Sequence, residues 1–210
     1  MKPIGILGGT FDPVHIAHLR LALEAYEQIQ LDRVKLMPCH IPPLRNSTLA
    51  SVELRLHMLK LAQMGISELE IDDRELKRPG PSYSVDSLKS LCRDYPQTSL
   101  CLVLGMDAFL TLDQWNHWQD LIKLAHIAVA SRPGVKYRLN AQLENFVSKH
   151  ETKQYDLIHN GLSGRLIFLD FDELTVSSSR IRSLRQKHKE IRFLVPEKVY
   201  HYINEHDLYR

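Results

Sequence analysis

The sequence predicts an α/β protein: a doubly wound parallel sheet in a single domain over residues 1–210, with a helical C-terminal part from about residue 177 packed on it. Three observations predict it. Short apolar runs alternate with stretches of helical periodicity along the chain. Two runs, residues 99–104 and 127–130, are apolar without alternation, as in parallel strands covered on both faces. No internal repeat and no linker rich in Gly, Ser or Pro divides the 210 residues, a length that can bury a sizeable core.

Each element follows from its residues. Residues 4–7 read as a buried strand, and residues 16–29 as a helix with Leu19, Leu23 and Tyr26 on one side. Residues 33–37 read as a second strand stopped by Pro38, and Pro42-Pro43 turns the chain into a loop. Ser51 is the expected N-cap of a helix running through Leu54, Met58 and Leu61 to Gly65. Residues 68–71 read as a short strand. Residues 84–91 read as a helix, with Ser84 as cap and Val85, Leu88 and Leu91 inward. Residues 138–150 read as a polar, exposed helix and 151–164 as loop or insertion. Residues 166–169 read as the last strand, followed by helices over 177–188 and 196–206.

Composition excludes several classes. A net charge of +2 asks for neither nucleic acid nor anionic lipid. No apolar stretch approaches the length of a bilayer span, and the N-terminus lacks a signal pattern, so no membrane partner is expected. Cys39, Cys92 and Cys101 are odd in number and share no motif spacing, which fits a reducing cytoplasm and neither a disulfide framework nor a metal site.

The chemistry is concentrated in Gly8-Gly9-Thr10-Phe11-Asp12-Pro13-Val14-His15-Ile16-Ala17-His18. Two glycines at a strand end let backbone N–H groups approach an anion, and the following helix points its positive N-terminus at the same place. His15 and His18, at i and i+3, add hydrogen-bond donors for a phosphoryl group. The run is neither the dinucleotide nor the P-loop fingerprint, and it lacks the glutamate of HExxH and a third zinc ligand. A second phosphate cradle is expected at Ser177, Ser178, Ser179 and Arg182, which combine hydroxyls, helix-start amides and a guanidinium. Read alone, that segment is equally a capped helix with a surface arginine.

GGTFDPVHIAH resembles the GGTFDPxHxGH signature of the nucleotidyltransferase superfamily with an (H/T)xGH site. Val176-Ser177-Ser178-Ser179-Arg180-Ile181-Arg182 is similar to its ISSTxIR motif. Together they resemble the bacterial-type nicotinate mononucleotide adenylyltransferase family over nearly the whole chain. The resemblance implies a Rossmann-like fold and a reaction joining ATP and nicotinate mononucleotide into nicotinate adenine dinucleotide and pyrophosphate. It implies His15, His18 and Arg182 as the catalytic groups. ATP is assigned to Gly8, Gly9, Thr10, Phe11, Gly105, Asp107, Arg132, Ser177, Ser178 and Ser179, and the acceptor to Arg45, Ser84, Val85, Trp115 and Asn116.

Departures from the family pattern are Ala17 for Gly, Val176 for Ile, Ser179 for Thr and Leu44 for the usual His of the loop containing Arg45, near which His40 reads as an exposed loop histidine. Mg²⁺ is expected with ATP, held by phosphates and water, and no protein metal site is expected. A monomer or homodimer fits. Two other readings stay open at this stage: a different phosphate acceptor, nicotinamide mononucleotide or phosphopantetheine, and a nucleotide-binding regulator without turnover.

Overall fold

Among the described residues six strands form one all-parallel sheet in the order β3-β2-β1-β4-β5-β6. They are β1 (Ile4–Gly9), β2 (Arg33–Pro38), β3 (Leu69–Ile71), β4 (Leu100–Gly105), β5 (His126–Ser131) and β6 (Leu166–Asp170). The computed structural model describes residues 2–44, 48–132, 134, 135, 137–172 and 174–210. The strand order reverses between β1 and β4, and in such sheets ligands bind beyond the carboxyl ends of the strands at that switch point.

Side-chain alternation divides the core into two layers. Leu7, Cys101, Val103, Ala128, Ala130, Ile167 and Leu169 face one cluster; Ile4, Ile6, Leu100, Leu102, Leu104, Ile127 and Val129 face the other. Helices α1 (Ile16–Ile29) and α2 (Val52–Gln63) cover the first layer, and α3 (Ser84–Asp94) the second. The short α4 (Met106–Phe109), α5 (Trp118–Leu124) and α6 (Ala141–His150) also belong to the second layer. Residues of α7 (Asp156–His159), α8 (Ser178–Gln186) and α9 (Glu197–Glu205) complete the first. Both faces of the inner strands are therefore dry, which is why the runs at 99–104 and 127–130 carry no polar alternation.

The caps explain where the helices begin. Ser51 Oγ accepts from Leu54 N at 3.4 Å, and Asn140 Oδ1 accepts from Gln142 N and Leu143 N at 3.1 and 3.0 Å. Three expectations need correction. Tyr83, not Ser84, is the N-cap of α3, and Ser84 is its first helical residue. The helix expected over 138–150 begins only at Ala141 and is not wholly exposed, because Leu143 and Phe146 are buried against the second layer. Residues 151–164 are not plain loop: α7 lies there, with Ile158 buried and His159 Nε2 2.7 Å from the Ile29 carbonyl oxygen. Its single apolar anchor is too short a pattern to show periodicity. The longest described helix, α1, has 14 residues, and no described helix is long and apolar enough to cross a membrane.

Candidate active site

The glycine turn sits at the carboxyl end of β1, flanked by β2 and β4. Its two glycines serve different needs. A Cβ on Gly8 would meet nothing within 4 Å, so the strand end stays open to a ligand. A Cβ on Gly9 would lie 3.1 Å from the Phe11 ring, so Gly9 makes room for that ring to pack. Phe11 itself is buried, in left-handed backbone at φ 49°, with its ring edge-on to His18 at 5.0 Å. What Phe11 can offer a ligand is its backbone. Holding a bulky residue at positive φ costs roughly 1–3 kcal/mol, which the surrounding packing offsets.

His15 is the N-cap of α1, and its ring stacks on that of His18 with centroids 3.6 Å apart. The His15 N–H donates to His18 Nδ1 at 3.3 Å. A neutral His18 that accepts at Nδ1 carries its proton on Nε2, so the opposite edge of the ring is a donor. His15 Nδ1 is buried and makes no hydrogen bond among the described residues. Uncompensated burial lowers the His15 pKa to about 4, which keeps that ring neutral near pH 7.

Asp12 is the hub that the motif alone does not reveal. Its buried carboxylate accepts from Leu49 N at 2.8 Å, Ala50 N at 3.1 Å and the Tyr209 hydroxyl at 2.8 Å. Arg182 Nη1 lies 4.0 Å from that carboxylate and donates to the Asp12 carbonyl at 2.7 Å, while Nη2 donates to Ser179 Oγ at 3.3 Å. Ser178 Oγ donates to the Pro13 carbonyl at 2.9 Å, and Ser177 Oγ caps α8 by accepting from Arg180 N at 3.2 Å. The N-terminus of α8 is thus fastened to the phosphate turn, and the two segments expected to meet do so. Burial and the adjacent Asp12 carboxylate push the Tyr209 phenol pKa far up, so it stays a donor.

Beside β1, β4 pairs with it as far as Ile6 and Leu102 and runs on to end at Gly105. Asp107 is exposed in the first turn of α4 just beyond Gly105. Arg132 lies past the end of β5, one strand further, with its amide donating to the Tyr137 hydroxyl at 3.1 Å.

Among the residues expected to take the acceptor, Ser84 and Val85 open α3, where amides lack intrahelical partners, whereas Asp86 N and Ser87 N both donate to the Tyr83 carbonyl. The Val85 side chain is buried in the second layer, so only its amide is on offer. Trp115 closes a 3₁₀ turn, Leu112–Gln114, and is half-buried; Asn116 is exposed. Trp118 packs on Phe146 at 5.1 Å. Leu44 is exposed, and Arg45 lies outside the described residues. His40, expected as an exposed loop histidine, is half-buried, and its Nδ1 lies 3.3 Å from the Arg78 carbonyl oxygen.

Sequence reasoning missed three supporting residues. Arg55 is fully buried; Nη1 donates to the Thr10 carbonyl at 2.7 Å and Nη2 to the His40 carbonyl at 3.4 Å. Its signal was visible: it falls three and four residues before Met58 and Leu59, in an otherwise apolar helical stripe. Glu75 and Tyr209 gave no local signal. No group of three or more His, Cys, Asp or Glu able to hold a metal occurs among the described residues.

The cytidylyltransferase-like family model matches residues 6–184. A Psychromonas ingrahamii protein named "Probable nicotinate-nucleotide adenylyltransferase" is 40% identical over 209 residues, covering 100% of this chain and 98% of its own. A Cellvibrio japonicus protein of the same name is 42% identical over 212 residues, with both chains covered completely. Among solved structures, Plasmodium falciparum nicotinic acid mononucleotide adenylyltransferase complexed with NaAD superposes with a TM-score of 0.74 at 19% identity, over 100% of this chain and 98% of that one. At that identity the superposition speaks for the fold alone.

Proposed function

Since the chain belongs to the cytidylyltransferase-like family and, with its nicotinate-nucleotide adenylyltransferase relatives, to that branch of it, we propose a mechanism by which its residues join ATP and nicotinate mononucleotide. The products are nicotinate adenine dinucleotide and pyrophosphate. One observation carries the reading: the stacked His15 and His18, the open Gly8 strand end and the Ser178–Arg182 segment converge on one turn.

The nucleophile is a phosphate oxygen of the acceptor, already ionised near neutral pH. It attacks the α-phosphorus of ATP, a P–O bond forms, and the bond to pyrophosphate breaks. No general base is needed, so catalysis rests on positioning and on stabilising charge. His18 donates from Nε2 to the α-phosphoryl oxygens, and neutral His15 holds the His18 ring in register through the stack and the backbone bond. A guanidinium carries five donors, of which Arg182 commits two to Asp12 and Ser179. The others serve the departing pyrophosphate, together with Ser177, Ser178, Ser179 and the α8 amides. Thr10 and the Gly8–Gly9 backbone hold the phosphates; Gly105, Asp107 and Arg132 hold the adenosine.

The residues around β1 do not form a Mg²⁺ cage. The Asp12 carboxylate, buried there, is committed to two amides and a phenol. Mg²⁺ enters with ATP, held by phosphate and water. On the acceptor side, the free amides of Ser84 and Val85 suit the nicotinate carboxylate, and Trp115 suits its ring, with Asn116 and Arg45 as further polar contacts. A reducing cytoplasm and a monomer or homodimer fit the same reading.

The test offers nicotinate mononucleotide, nicotinamide mononucleotide and phosphopantetheine separately with ATP and measures pyrophosphate release. A preference for nicotinate mononucleotide is expected. A preference for either other acceptor, or ATP binding without release for any, overturns the reading.

A further inference from the structure

We propose that Arg55 is a positioning residue for both substrates at once, tying the phosphate turn to the acceptor-binding start of α3; this rests on the reading of the site as an ATP–acceptor junction. One buried guanidinium spans two backbone carbonyls, Thr10 in the phosphate turn and His40 in the loop after β2. Its Nε is buried without a hydrogen-bond partner among the described residues. A buried cation that leaves one donor unused while reaching two separate loops is an expensive way to stabilise a fold. It is an effective way to fix the distance between the two loops.

The tie continues beyond His40. The His40 N–H donates to Ser82 Oγ at 2.8 Å, and Ser82 N donates to the Ile41 carbonyl at 2.9 Å, so the 40–41 and 81–82 segments pair. Burial pushes the Glu75 carboxyl pKa up, and its Oε1 accepts from the Ser87 hydroxyl at 2.5 Å. Arg78 Nη2 donates to the Tyr83 carbonyl at 3.4 Å and to Ser87 Oγ at 3.3 Å, closing the set around the α3 N-cap. A continuous polar path therefore runs from Thr10 through Arg55 and His40 to Ser82, two residues before the helix whose first amides are assigned to the acceptor. Each link is buried or half-buried, so water competes poorly for it. Damping of the phosphate turn's fluctuations by ATP is passed to the start of α3.

The test uses the 210-residue chain with Mg-ATP alone, and follows backbone amide exchange in residues 8–11 and 82–86. In the wild type, ATP is expected to slow exchange several-fold in both segments. In Arg55→Lys, whose single ammonium cannot span two carbonyls, slowing is expected in residues 8–11 only. The Michaelis constants for ATP and for nicotinate mononucleotide should each rise on the order of tenfold, as slight misplacement of reacting groups does. Ser82→Ala breaks the path beyond His40 and should raise the acceptor's constant alone, which keeps the question decidable if Arg55→Lys fails to fold. Protection of residues 8–11 alone in the wild type overturns the proposal, as does protection of both segments in Arg55→Lys or in Ser82→Ala. Coupled protection without pyrophosphate release would instead sink the acceptor assignment and leave the role of Arg55 standing.

Discussion

Around the phosphate turn the polar side chains are held by one another: Asp12 by two amides and Tyr209, Arg182 by Asp12 and Ser179, Ser178 by Pro13. The side proposed for the acceptor is built differently. It presents a half-buried tryptophan after a 3₁₀ turn, an exposed asparagine and the open first amides of a helix. The phosphate side must stabilise charge that develops in the transition state, and charge is stabilised best by dipoles that do not reorganise. The acceptor side need only admit and orient a ring and a carboxylate, which tolerates exposure. In the proposed mechanism, rigidity lies where the chemistry occurs, and accessibility where an acceptor is selected.

Arg182→Ala strikes the phosphate side hardest. The ratio kcat/KM, read from pyrophosphate release, should fall on the order of 10²–10³-fold, with acceptor affinity nearly unchanged. A matching loss of acceptor affinity would mean that the two sides are not separable in this way.

Acid gives the next largest effect. Folded His15 takes up its proton only near pH 4, whereas the unfolded ring does so near 6.5. Between those values the unfolded chain binds more protons, so stability present above pH 6.5 is lost as the pH falls toward 4, by at most roughly 3 kcal/mol. Urea unfolding of wild type and His15→Gln at pH 7 and pH 5 measures this. If the gap between the two proteins stays constant, the His15 ring is not shielded as the turn requires.

Trp115→Ala should weaken acceptor binding about tenfold, the loss of one aromatic stacking partner, with ATP affinity unchanged in separate titrations. Equal weakening of both would show that Trp115 belongs to the packed core and sharpen the boundary between the sides. The smallest effect on the site itself is expected for Tyr209→Phe, whose cost falls on stability. Losing one buried hydrogen bond to a carboxylate should cost about 1.5–3 kcal/mol, a lowering of Tm by several degrees. Acceptor affinity should not move.

The same contrast explains what was legible in the sequence. The turn, His15 and His18 are local patterns, fixed by a strand end, a helix start and i,i+3 spacing, so they could be read directly; the Ser177–Arg182 segment read alone was equally a capped helix, and its bonds to Pro13 and Asp12 are what join it to the turn. The partners of Asp12 lie 37, 38 and 197 positions away, and nothing local announces a contact made only by tertiary closure. Arg55 was an intermediate case, a charge out of place in an apolar stripe. The parallel sheet follows from the apolar runs, whereas its strand order is set by tertiary pairing, and α4, α5 and α7 are too short for periodicity to reveal.

The bond between Tyr209 and Asp12 also sets a timetable. A ribosome delivers the glycine turn first and Tyr209 some two hundred residues later, at roughly 5–20 residues per second. For many seconds a nascent chain displays the motif while the Asp12 carboxylate lacks its phenol and Arg182 has yet to be made. Translation that stalls before Arg182 yields a polypeptide with the signature and no fastened cradle.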